Sequence, residues 1–149
     1  MRAVIQRVSE ASVSVGTERV SNIGRGLVVL VGIGRGDAVA DLDWLAEKIV
    51  QLRIFPDENE QMNRSVQDVG GELLIVSQFT LYGDCRKGRR PSYSEAAAPD
   101  DARPVYDELL VRLRASGLTV REGVFRAMMK VQLVNDGPVT LLLDSRKTF

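Results

Sequence analysis

GLVVLVGI, residues 26–33, contains no polar side chain, and its reading decides the fold. An extended segment with branched apolar side chains on both faces needs cover on both sides, so the run is a strand in the middle of a sheet. Upstream, Ala3, Ile5 and Arg7 fall on one face and Val4, Gln6 and Val8 on the other, and 12–15 and 19–23 repeat the alternation. Gly16-Thr17 and Gly24-Arg25-Gly26 supply the turns between these strands. Downstream the period changes: Ala38, Leu42, Leu45, Ile49 and Leu52 recur at spacings of four and three, which predicts an amphipathic helix with Asp37 as its cap. Residues 55–63 (FPDENEQMN) form a polar turn region, and 72–79 (ELLIVSQF) a second buried-type strand. The stretch 83–99 has no periodicity and is the principal irregular loop. A second helix follows, capped by Asp100 or Asp101, with Val105, Leu109 and Leu113 on one face and Gly117 as its stop. The last third returns to strand at 119–125, 128–134 and 139–144. The expectation is an α+β single domain spanning 1–149: a strongly twisted or barrel-like, mostly antiparallel sheet with two inserted helices.

Composition narrows the chemistry. A chain of 149 residues with 44% hydrophobic and 27% charged residues buries an ordinary core and needs no long disorder. Twenty basic and twenty acidic residues cancel, so no overall field draws the chain to DNA or to an anionic membrane, and a nucleic-acid partner must be held by a local patch. The histidine count is zero, which excludes Ser/His/Asp triads, Cys/His pairs and histidine metal sites together. A single cysteine, Cys85, allows neither an internal disulfide nor a multi-thiolate zinc site and suits a reducing compartment. The N-terminus MRAVIQRVSEASVSV alternates and lacks the apolar core of a signal peptide, and no stretch approaches the ~20 apolar residues of a membrane span. A cytoplasmic location is expected.

Five local patterns remain. Gly32-Ile33-Gly34-Arg35-Gly36 lies between a strand and a helix, as in a dinucleotide-binding turn. Its spacing is G-x-G-x-G, however, and Asp37 stands where the third fingerprint glycine belongs, so a tight strand-to-helix turn is expected. The acidic clusters at 41/43, 57/58/60 and 100/101 fall in caps or turns without nitrogen ligands, and no metal or other cofactor is expected. Arg86, Lys87, Arg89 and Arg90 crowd one loop between Tyr82 and Tyr93. They suit either a phosphate backbone with stacked bases or a plain solvated loop. Ser77-Gln78-Phe79-Thr80 ends a buried strand in polar groups, which is where rigid scaffolds place active sites and also where serine and threonine simply close strands. Asn135-Asp136-Gly137-Pro138 reads as a hairpin, except that a proline directly after the glycine is unneeded for one and raises the chance of a cis bond.

SQFTLYGD at 77–84 and NDGPVT at 135–140, with the MRAVIQRVSEASVSV start and the RKGRRPSY loop between them, closely resemble the D-aminoacyl-tRNA deacylase family along the whole chain. The resemblance implies a cytosolic homodimer that hydrolyses the ester between a D-amino acid, or glycine, and the 3′-terminal adenosine of tRNA. Ser77 points to the D-specific branch, because the related animal deacylase of relaxed selectivity has proline there. Cys85 departs from the family pattern, where a small polar residue such as threonine is expected. By the same resemblance, Gly137-Pro138 is a cis element inserted into the partner subunit's pocket, with two carbonyl oxygens that an L side chain would strike. Arg7 resembles an arginine that holds this loop, and Met129 a residue near the terminal adenosine.

Without histidine, Thr80 has no evident base, and a free hydroxyl is a poor nucleophile near neutral pH. The expected mechanism is attack by water, assisted by the tRNA's ribose 2′-hydroxyl, with backbone N–H groups near Phe79 and Thr80 stabilising the oxyanion. Ser77, Gln78 and Thr80 position substrate, the Phe79 ring packs below the site, and Arg86, Lys87, Arg89 and Arg90 meet tRNA phosphates. Two rivals make different predictions: an acyl-enzyme hydrolase using Thr80 or Ser77 would give a trappable intermediate, and a non-catalytic tRNA-binding module would bind without ester loss.

Overall fold

The computed structural model describes all 149 residues. The 26–33 run becomes β3 (Gly26–Gly32), paired antiparallel with β1 (Arg2–Val15) on one side and parallel with β6 (Glu72–Ser77) on the other. β2 (Glu18–Ile23) and β7 (Thr119–Glu122) extend the sheet to the order β2-β1-β3-β6-β7, and β8 (Met129–Asp144) adds to β1. β2 also lies against β6 and β7, so the sheet curls into a nearly closed barrel. β4 (Phe55–Pro56) and β5 (Met62–Arg64) form a small separate hairpin inside the predicted polar turn region.

Both faces of β3 are covered, as its composition requires. Leu27, Val29 and Val31 pack with Ala3, Ile5, Leu73 and Ile75 against α1 (Val39–Gln51) and α2 (Pro99–Ala115), through Leu42, Leu45, Ile49, Leu109 and Leu113. Val28 turns the other way, into a cluster with Val8, Ala11, Val13, Ile23, Leu74 and Val76 inside the curl. Each such fully buried side chain contributes about 1.5–3 kcal/mol by leaving water.

Leu42, Leu45 and Ile49 of α1 and Leu109 and Leu113 of α2 are buried as the spacing predicts, but Ala38 is exposed at the N-cap, Leu52 and Val105 are only half-buried, and the caps differ from the expected ones. The Asp41 carboxylate, not that of Asp37, accepts the N–H of Ala38, at 2.8 Å. The Asp37 side chain is fully buried and accepts the Gly34 N–H at 2.6 Å while pairing with the Met1 ammonium at 2.9 Å. Neither Asp100 nor Asp101 caps α2, which starts after Ala98 with proline at its first position; the two acids stand in the first turn, where the helix dipole favours them. Gly117 does follow the helix end, at φ +83°.

The later strand expectations change as well. β7 stops at Glu122 instead of 125, and the polypeptide turns through 124–127. The segment 135–138 is not a hairpin, since both halves of β8 pair with β1, which runs the full length beside them. Between Gln6↔Thr140 and Val8↔Asn135, two steps along β1 meet five along β8, so 136–139 bulge out of the ladder. The alternation of β1 breaks at the same place: Arg7 and Val8 are both buried and Ser9 and Glu10 both exposed.

Candidate functional site

β6 carries its apolar run to Val76 and delivers Ser77 and Gln78 to the sheet end, where the Gln78 N–H bonds to the Val31 carbonyl at 2.7 Å. The polypeptide then tightens into a single 3₁₀ turn, Phe79–Tyr82, in place of the predicted strand continuation to 79. Its first N–H groups, those of Phe79 and Thr80, have no partner in the protein, as helix geometry leaves them. The Thr80 hydroxyl meets one side chain, the Gln78 amide, which donates to it.

Beside this turn opens a cavity of about 650 Å³, lined by Ser77, Gln78, Phe79 and Met129 among mostly apolar neighbours. The Phe79 ring is not packed below the site as expected. It is 58% exposed, lines the cavity, and meets Tyr93 edge-on at 5.1 Å. Met129 is held by its sulfur, which accepts the Val124 N–H at 3.3 Å. Tyr93, Phe125 and Arg126 also line the cavity. Phe125 escapes the sequence reading because the expected strand runs to 125, Arg126 because it falls in the short gap before the next expected strand at 128, and Tyr93 because it enters only as an aromatic beside the basic loop.

The turn is fixed from behind. Tyr82 is buried with its hydroxyl 3.4 Å from Asp37, and its ring lies under the Arg2 guanidinium, 4.6 Å from the centroid. Burial, with Asp37 beside it, pushes the phenol well above its ordinary range. Arg2 also donates to the Leu81 carbonyl at 3.1 Å. The glycine run serves this packing: a Cβ on Gly34 would stand 2.5 Å from the Tyr82 hydroxyl, and one on Gly32 would stand 3.1 Å from the Gln78 carbonyl.

Arg7 and the 135–138 segment form a second group. Arg7 Nη1 donates to the Ile54 carbonyl at 2.6 Å and Nε to the Asp136 carbonyl at 3.1 Å, with the Asp136 carboxylate 3.4 Å away. The Gly137-Pro138 peptide bond is cis, and Gly137 has φ +125°. Gly137 and Pro138 are exposed and do not line the cavity. They lie opposite β1 near Arg7, which pairs with Leu27, whereas Ser77 pairs with Val31. Four residues along and three strands across is about 13 Å by about 14 Å, so the two groups stand about 20 Å apart along the sheet.

The basic loop is only partly available. Arg86 is bound by Asp84, at 2.9 and 2.7 Å, and this contact holds the Asp84 carboxyl well below the usual carboxylate range. Lys87, Arg89 and Arg90 are exposed and make no ion pair. Cys85 is exposed.

A curled sheet backed by two helices, with unpartnered N–H groups and polar side chains beside an apolar cavity and no imidazole, is the fold and site of a hydrolase class that its relatives identify. The family model for D-Tyr-tRNA(Tyr) deacylase matches residues 4–144. A D-aminoacyl-tRNA deacylase of Desulforamulus reducens is 62% identical over 149 residues, covering 100% of both chains, and one of Thermotoga petrophila is 58% identical with the same coverage. A solved structure described as a c-Myc DNA unwinding element binding protein superposes with TM-score 0.91 and 42% identity, covering 97% of this chain and 98% of its own. The chain belongs to the D-Tyr-tRNA(Tyr) deacylase family.

Proposed function

We propose that this chain is a cytoplasmic homodimer that hydrolyses the ester joining a D-amino acid, or glycine, to the 3′-terminal adenosine of tRNA. The observation that carries the reading is the pair of unpartnered N–H groups on Phe79, which lines the apolar cavity, and on Thr80, which follows it in the turn, is exposed and does not line the cavity. Donors of this kind stabilise an ester oxygen as it becomes an oxyanion, and they need no reorganisation to do so. Water is the nucleophile, assisted by the ribose 2′-hydroxyl. The Thr80 hydroxyl is held by an amide, which cannot take its proton, and this weighs against an acyl-enzyme. Ser77, Gln78 and Thr80 orient the ester, Met129 contacts the adenosine, and Lys87, Arg89 and Arg90 meet tRNA phosphates.

Chirality is read by Gly137-Pro138 of the partner subunit, whose two carbonyl oxygens collide with an L side chain and leave a D side chain or glycine untouched. Rejection by rigid backbone accepts any D side chain that points outward. Two features support sharing: the segment is exposed and about 20 Å along the sheet from its own cavity, and Arg7 grips the Asp136 carbonyl beside it. A two-fold interface satisfies both subunits at once.

Purified protein on D-tyrosyl-, L-tyrosyl- and glycyl-tRNA tests the activity: ester loss from the first and third only is expected, and RNA binding without hydrolysis would overturn it. Mixing Thr80→Ala/Gln78→Ala with a variant lacking Gly137-Pro138 tests the shared site. Activity returns in mixed dimers; verified subunit exchange without recovery places pocket and plug on one chain.

A further inference from the structure

Arg35 and Arg126 are the charged residues among those that line the cavity, and no carboxylate lines it. Both side chains are exposed, which puts them at the rim, and neither guanidinium makes an ion pair or a hydrogen bond to the protein. They come from connections far apart in the chain. Arg35 lies on the turn between β3 and α1, with its N–H fixed to the Glu95 carbonyl at 2.9 Å. Arg126 lies between β7 and β8 at φ +64°, a conformation that L residues occupy at some cost and that recurs where structure is held for function.

An apolar interior with cations confined to its mouth suits a ligand with a flat, uncharged end and an anionic group one step behind it. Guanidinium is the group that binds a phosphodiester through paired N–H donors while remaining solvated. We propose that Arg35 and Arg126 hold the phosphodiester on the 5′ side of the terminal adenosine, anchoring the acceptor end independently of the 86–90 loop. The inference rests on the deacylase reading and assigns that loop to phosphates farther along the tRNA.

Three substrates separate these claims: D-tyrosyl-adenosine, which has no phosphate; D-tyrosyl-cytidylyl-(3′–5′)-adenosine, which has one; and D-tyrosyl-tRNA. The wild-type protein should prefer the dinucleotide ester to the adenosine ester. Arg35→Gln and Arg126→Gln should each lower that preference about fivefold, the scale of an exposed charge-assisted contact, mainly through KM. Arg35→Lys and Arg126→Lys should recover part of the loss. Equal losses on both small esters, no loss, or no wild-type preference for the dinucleotide would overturn the inference while leaving the deacylase reading standing. Failure of wild-type protein on D-tyrosyl-tRNA would overturn that reading itself.

Discussion

Replacing Gly34 with alanine tests whether the glycine run exists to let the 3₁₀ turn close. A Cβ there would stand 2.5 Å from the Tyr82 hydroxyl oxygen, 2.6 Å from Cζ and 2.8 Å from Cε1, all on a rigid ring. Restoring ordinary contact means moving the ring by about 1 Å, since non-bonded heavy atoms settle near 3.5–4 Å. The ring cannot retreat freely, because Arg2 covers it at 4.6 Å and donates to Leu81 in the same turn. Overpacking of this kind costs about 1–3 kcal/mol, and losing the Tyr82–Asp37 hydrogen bond adds about 1 kcal/mol. At about 2–4 °C per kcal/mol for a chain of this size, Tm should fall by about 5–15 °C. Tyr82 shares its turn with Thr80, so a shift near 1 Å should also slow single-turnover hydrolysis of D-tyrosyl-tRNA by about a hundredfold. Gly16→Ala is the control: its φ is +59° but nothing lies within 4 Å, so it should cost about 1 kcal/mol and no activity. Adding Tyr82→Ala to Gly34→Ala should give less loss than the two single costs added together, with a coupling of about 1–2 kcal/mol. Wild-type Tm and rate in Gly34→Ala would refute the reasoning.

Thr80→Ala should slow single-turnover hydrolysis about tenfold to a hundredfold, and rapid-quench mass spectrometry of wild-type protein should find no acylated residue; a trapped adduct on Thr80 or Ser77 would restore the covalent mechanism. Arg89→Gln/Arg90→Gln should weaken binding of all tRNAs alike and flatten its salt dependence without changing the D-over-L ratio, whereas Arg86→Gln should do much less because Asp84 already neutralises Arg86. Hydrogen bonds lower the carboxyl pKa of Asp41 (chiefly from the Ser145 hydroxyl), Asp57 (chiefly from the Asn63 amide) and Asp68 (chiefly from the Ser65 N–H) below the reference 3.8. The unfolded chain therefore takes up these protons first as pH falls, so their stabilisation is present above about pH 4 and is lost below it. Tm measured from pH 7 to pH 2.5 should show the drop, and Asp57→Asn should make it shallower; an unchanged slope would sink the assignment.

The sequence by itself determined what depends on near neighbours. An unbroken branched run specifies a strand buried on both faces, spacings of three and four specify the inner faces of α1 and α2, and the lack of histidine removes whole classes of catalyst. The two family motifs were legible for the same reason, each being a short contiguous string. What tertiary structure alone decided depends on partners distant in sequence. Asp37 looked like a cap because its neighbours form a helix start, but it is taken by the Met1 ammonium and by Arg146. Asn135-Asp136-Gly137-Pro138 looked like a hairpin because its local turn chemistry is right, yet β1 offers both flanking segments a longer ladder and Arg7, 129 positions away, holds the bulge. Arg35 and Arg126 acquire a common site only where the turn after β3 and the turn after β7 line one cavity. Local periodicity carries the first kind of information because it acts through adjacent dihedrals; the second kind arises only when closure of the sheet brings separate segments within hydrogen-bond range.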